Sequence, residues 1–223
     1  MGTLYLVRHG QASFGTDDYD RLSPLGIQQC RALGEWMSRR GLGFDTVIRG
    51  SLRRHVQSLE AIAAQLPDLP AAIEWPGLNE YNSEALVQSV AVEPLPPPGQ
   101  DPAAARQHFR LLRDGLRRWM AGETAPDGMP SWQAFSEGVA SALKLASEQS
   151  EGHVLLVSSG GPISTAIGQV LGLPSTGVIE LNLRLRNSAL SEMVISRGRL
   201  ALLSFNTLPH LDAAERHDWV TYA

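Results

Sequence analysis

Apolar residues come in short blocks separated by turn-forming ones, and the blocks alternate between two periods. Leu4 to Val7 is an apolar run of the kind a strand buried on both faces shows, and Gly10 breaks it just after the basic pair Arg8 and His9. Ser23-Pro24 has helix N-cap and first-turn chemistry, and Leu25, Ile27, Leu33, Trp36 and Met37 supply an apolar face that stops at Arg39-Arg40-Gly41. Phe44 to Ile48 predicts a second buried strand. Gly50-Ser51 then opens a helix through Leu66, closed by Pro67, and Ile73 to Trp75 predicts a third strand.

From Asn82 to Pro130 the pattern loosens. A Pro-rich tract, EPLPPPGQDP, precedes a helix capped by Asp101-Pro102 and running to about Met120. A segment of this length between core elements suits a lid or binding insertion, residues 82–130, within one domain spanning 1–223. Ser131 caps a further helix to about Gln149. His153 to Val157 returns to the buried-strand pattern, and SSGGP leads into a helix ending at Leu171-Gly172. Gly177 to Leu185, Ser188 to Ser196 and Arg199 to Phe205 alternate at period two and predict strands, the last two joined by a hairpin at Arg197-Gly198. Strand and helix alternate through the first part, so the expected class is α/β with a mostly parallel central sheet.

Bulk composition narrows the role. With 223 residues, 43% hydrophobic and 19% charged, the chain can bury a full core. A net charge of −4 speaks against nucleic acid as a partner. Cys30 is the single cysteine, which rules out an intrachain disulfide and CxxC-type metal or redox sites. No apolar run approaches the ~18 residues a membrane span needs, and Arg8 interrupts any signal-like core. A cytoplasmic location without membrane contact is the expectation.

Chemistry converges on the strand ends. Ligands of open α/β sheets bind there, and Arg8 with His9 sits at the first. Gly50-Ser51 and Ser159-Gly160-Gly161 each lead into a helix N-terminus, whose free amides and dipole suit an anion. Arg53 and Arg54 open the first of these helices. Guanidinium forks match phosphate oxygens, so a phosphate group is the expected ligand. A neutral His9 can take a phosphoryl group, with the cations stabilising its oxygens and no metal or other cofactor required. Glu80 and Glu84, past the third strand, are the available acids.

Taken together, LVRHGQ, LSPLGIQQC and SLRRHVQSLEAI resemble the histidine phosphatase superfamily, which includes cofactor-dependent phosphoglycerate mutases. The resemblance implies a three-layer α/β/α fold with a helical lid insertion and His9 as the phosphorylated residue. It places Arg8 on the motif arginine, Arg54 on the second arginine with Arg53 as its neighbouring alternative, and Glu80 of GLNEY on the proton donor. Gln11, Ser13 and Gly160 fall at substrate-binding positions. The stretch FNTLPHL is similar to the ending of many phosphatase members.

The departures are equally specific. The family carries a second histidine after the later strand, where VLLVSSGGP places Ser159; a hydroxyl can donate to a phosphoryl oxygen but carries no charge. Among other histidines, His55 follows Arg54 on a helix and is expected to point about 100° away from it, and His153 lies at the wrong end of its strand. His210 is the expected substitute. Gly15 and Gly50 stand where many members have Asn and Ser, with Ser13, Ser51 or Ser158 as compensating donors. His108 and His217 read as surface or lid residues, and Trp75, Trp119 and Trp132 as packing.

Three functions follow: a metal-independent phosphomonoester hydrolase, a phosphoglycerate mutase-type transferase, and a weakly active or inactive phosphate-binding module. The mutase reading is weakened by YNSEALV and the Pro-rich tract, which replace the region that would shape its pocket; Ser159 motivates the binding module. The partner expected is a small phosphorylated substrate, with a homodimer left open.

Overall fold

A computed structural model of the chain describes residues 1–13, 20–92, 102–148 and 152–222. Gly15, Asp101, Gln149 and most of the Pro-rich tract lie outside the described residues.

The first strand, β1 (Gly2–Arg8), is buried along nearly its whole length. Successive side chains on a strand point to opposite faces, so its apolar run feeds two cores at once. Leu4 and Leu6 join one core, with Ile48, Val154 and Leu156; Tyr5 and Val7 join the other, with Val47, Leu155 and Val157. The second core is closed by α1 (Pro24–Arg39) and α2 (Arg53–Ala63), through Cys30, Leu33, Met37, Ala61 and Ile62. The first is closed by α3 (Ser83–Gln88), α4 (Pro102–Met120), α5 (Trp132–Glu148) and α6 (Gly160–Leu171). The result is the expected three-layer α/β/α arrangement.

With β2 (Thr46–Arg49), β3 (Ile73–Glu74), β4 (His153–Ser158), β5 (Leu190–Ser196) and β6 (Arg199–Thr207), the sheet runs β3-β2-β4-β1-β5-β6. The pairings β2·β3, β2·β4 and β1·β4 are parallel, whereas β5 and β6 are antiparallel to their neighbours. The C-terminal ends of β1, β2 and β4 therefore open on one rim. The β5 to β6 hairpin turns at Arg197 and Gly198, both at positive φ (50° and 73°), as a tight primed turn demands.

Gly177 to Leu185 is a correction to the strand expectation. It belongs to a helix, α7 (Ser175–Arg184), started after Pro174 and laid on α6. Gly168 lets α7 approach so closely that a Cβ there would sit 2.4 Å from a Val178 methyl. Packing against α6, together with the Glu180 and Arg184 pair one turn apart at 3.4 Å, outweighs an alternating pattern too short to decide alone. Helix α4 packs on the body: Leu112, Leu116 and Trp119 share the core with Leu4. Trp119 is 1% exposed, which bears out its reading as packing. Among the described residues, no helix is long and apolar enough to cross a membrane.

Candidate active site

His9 leaves β1 at the level where Ser159 leaves β4, because Arg8 pairs with Ser158 and the His9 N–H donates to the Ser158 carbonyl at 2.9 Å. Two glycines make the sharp exit from β1 feasible: a Cβ on Gly10 would lie 2.3 Å from the Gly26 carbonyl oxygen, and one on Gly26 2.1 Å from that of Gln11. The N-terminus of α1 is thereby pressed against the RHG turn, with Ser23 capping the Gly26 N–H and donating to Gln11 Oε1.

The His9 ring is almost fully buried, and its Nδ1 lies 2.7 Å from the Gly10 carbonyl. Donation from Nδ1 leaves Nε2 as the lone-pair nitrogen. Burial pushes the imidazole well below its ordinary pKa, and the charges of Arg54, Arg8 and His55 push the same way against the Gly10 bond. The ring is held neutral, the form that can attack phosphorus.

Arg54 is buried and Arg53 exposed, so Arg54 is the one of the two that turns inward. Its Nη1 lies 2.6 Å from Asp20 Oδ1, while Asp20 Oδ2 accepts the Arg53 N–H at 2.7 Å. Asp20 is a residue that sequence reasoning missed. Arg8 is near enough to depress His9, but its Nη1 donates to the carbonyls of Leu185 and, at 2.8 Å, Tyr222.

Glu80 reaches the same rim from the turn after β3. Both its oxygens lie 3.1 Å from the Gly161 amide at the start of α6. Withdrawal from water raises its pKa; the Gly161 and Tyr81 amides and the Arg54 and Arg8 charges oppose this without cancelling it. A carboxyl biased towards its protonated form is what a leaving oxygen needs. Glu84 is exposed on α3, bonded to Gln88, and is not brought to the site.

The remaining predicted positions divide. Ser13 is buried near the rim, its N–H on the Arg21 carbonyl. Gln11 spends its side-chain oxygen on Ser23. Gly160 opens α6, where a Cβ would meet Asn182 Oδ1 at 2.6 Å. Ser158 donates its O–H to the Leu78 carbonyl and so has no proton left to give, whereas Ser51 only accepts, from Asn79 Nδ2.

The histidine expectation needs correction. His210 pairs with Ser188 at 2.9 Å, and Ser188 in turn donates its N–H to the His9 carbonyl, on the backbone side of the nucleophile. The histidine that meets Ser159 is His55: its Nε2 lies 2.7 Å from Ser159 Oγ, and its ring centroid is 5.8 Å from that of His9. Pointing away from Arg54 carries it across the rim rather than out to water. The clue available in the sequence was the coincidence of an extra histidine beside Arg54 with a missing one at 159.

The class of protein is thus an α/β fold with a mixed, mostly parallel sheet that carries a buried histidine, an arginine and a raised carboxyl at one rim. Residues 4–208 match the model of the histidine phosphatase superfamily (branch 1), and the chain belongs to that superfamily. It is 24% identical over 202 residues to the mitochondrial serine/threonine-protein phosphatase PGAM5 of Rattus norvegicus and, equally, of Homo sapiens. That alignment covers 89% of this chain and 60% of those relatives, so the chain spans about three fifths of their length. Among solved structures, phosphoserine phosphatase from Entamoeba histolytica in complex with 3-phosphoglyceric acid superposes with a TM-score of 0.66 at 22% identity, covering 95% of this chain and all of that one. A putative alpha-ribazole-5'-P phosphatase from Escherichia coli gives 0.65 at 22% identity, covering 93% and 98%.

Proposed function

We propose that the chain is a phosphomonoester hydrolase that acts through a phosphohistidine at His9, without a metal ion, on a small phosphorylated substrate. The observation that carries this reading is the neutral His9 ring set among the Arg54 charge and the raised carboxyl of Glu80. The phosphatase names of its relatives, spread over protein, amino-acid and ribazole phosphates, support the phosphomonoester class.

In the first half-reaction His9 Nε2 attacks phosphorus, the bond to the leaving oxygen breaks, and Glu80 gives that oxygen its proton. In the second, water attacks the phosphohistidine while the Glu80 carboxylate takes a proton, the bond to His9 breaks, and inorganic phosphate leaves. Arg54 and Arg8 stabilise the oxygens throughout, with Ser159 as a further donor. Gln11, Ser13 and Gly160 are assigned to substrate binding in the same reading. The lid role expected of residues 82–130 belongs to the same proposal, and the packing of Trp119 of α4 beside Tyr81, next to Glu80, supports it. The cytoplasmic location expected from the sequence belongs to the same proposal.

The test is hydrolysis of p-nitrophenyl phosphate in excess chelator. Turnover persists in chelator and falls by at least about 10³-fold in His9→Ala. Turnover that survives His9→Ala, or that chelator abolishes, overturns the reading, and isomerisation of a phosphoglycerate without phosphate release replaces it with a mutase.

A further inference from the structure

Two departures from the family pattern, Gly50 and Ser159, both lie against His55. Ser159 heads α6, yet its hydroxyl makes no capping bond to that helix. Its Oγ instead meets His55 Nε2 at 2.7 Å, and both residues are fully buried. On the far side of the ring, His55 Nδ1 faces Gly50. A Cβ at residue 50 would stand 2.2 Å from Nδ1 and 2.8 Å from Cε1, so the serine common in the family there would collide with this imidazole. The glycine makes room for the histidine, and the histidine reaches the serine that replaces the family's own.

The structure assigns these three residues to one unit, in which His55 holds the Ser159 hydroxyl as the donor to a phosphoryl oxygen on His9. Ser159 touches the reacting group, and His55 is a positioning residue acting through it. The proton inventory supports this direction. Burial and the charges of Arg54 and Arg49 keep His55 neutral, so the ring has one N–H. Among the described residues Nδ1 has no hydrogen-bond partner, and an orphaned buried N–H is rarer than an orphaned acceptor. The proton therefore belongs on Nε2, donating to Ser159 Oγ and leaving the serine O–H to point elsewhere. Ser159 is next to Ser158, whose carbonyl accepts from His9, and the His9 and His55 rings are 5.8 Å apart. The proposal directs that O–H to the group His9 carries.

The inference rests on the phosphohistidine reading, and its test separates the two. With p-nitrophenyl phosphate, Ser159→Ala and His55→Leu each lower kcat by about 10²–10³-fold, the usual loss for one well-placed donor, and the double variant is no worse than either. His55→Gln, whose amide N–H can reach Ser159, recovers to within about tenfold of the wild type. Gly50→Ala lowers kcat in the wild type and adds nothing in His55→Leu. Additive losses, or an unchanged kcat in His55→Leu with only a lower thermal midpoint, overturn the unit while leaving His9 intact as nucleophile. Nitrogen-15 spectra of the histidine rings decide independently of turnover: protonated Nε2 at His55 supports the proposal, and protonated Nδ1 overturns it. A wild type and a His9→Ala variant that hydrolyse alike fail the phosphohistidine reading instead.

Discussion

Both carboxylate oxygens of Glu80 lie 3.1 Å from one amide, that of Gly161 at the head of α6. The contact exists because residue 161 has no side chain: a Cβ there would be 2.2 Å from Glu80 Oε1 and 2.7 Å from the Tyr81 ring. The amide aims the carboxyl, while burial keeps its pKa raised.

That arrangement predicts leaving-group dependence. The donor must be protonated, so the single-turnover rate of phosphorylation by an alkyl phosphate falls as pH rises through the elevated pKa of Glu80. Glu80→Gln slows alkyl phosphates by about 10²–10⁴-fold and p-nitrophenyl phosphate far less, because nitrophenolate leaves without a proton. Equal losses on both substrates would remove Glu80 from the acid role.

In the proposed mechanism Arg54 serves a phosphoryl group while it holds Asp20. A planar fork can do both, whereas an ammonium keeps the charge without the geometry. Arg54→Lys therefore lowers kcat/KM by about 10²-fold and weakens inhibition by inorganic phosphate, approaching Arg54→Ala. Wild-type kinetics in the lysine variant would show that charge alone suffices.

His210 titrates as a stability element. Burial, helped by Arg216, pushes it down to about 3. An unfolded chain takes up this proton near pH 6.5, so the stability is fully present above that value and is lost as pH falls towards 3, by about 1.4 kcal/mol per pH unit for one proton. Thermal midpoints measured between pH 7.5 and 4.5 decline less steeply in His210→Gln than in the wild type. Parallel declines would assign the acid sensitivity to other groups, His9 and His55 foremost.

Much of the scaffold was readable along the chain. Leu4 to Val7 announced a doubly buried strand, Ser23-Pro24 and Gly41 bounded α1, and Arg197-Gly198 marked the hairpin, since each signal is contained within a few residues. The α7 segment was not readable: nine alternating residues fit a strand or a helix equally, and the approach of α6 through Gly168 decided between them.

By itself the sequence determined that His9 ends a buried strand, with Arg54 opening a helix and Glu80 following a third strand, because burial periodicity and turn chemistry are local properties. Only the tertiary structure decided that His55, rather than His210, meets Ser159. Those two residues are 104 positions apart, and their 2.7 Å contact depends on how α2 and the end of β4 are set across the sheet. A helical azimuth says which way a side chain leaves its own axis; what it meets there is a property of the neighbouring element.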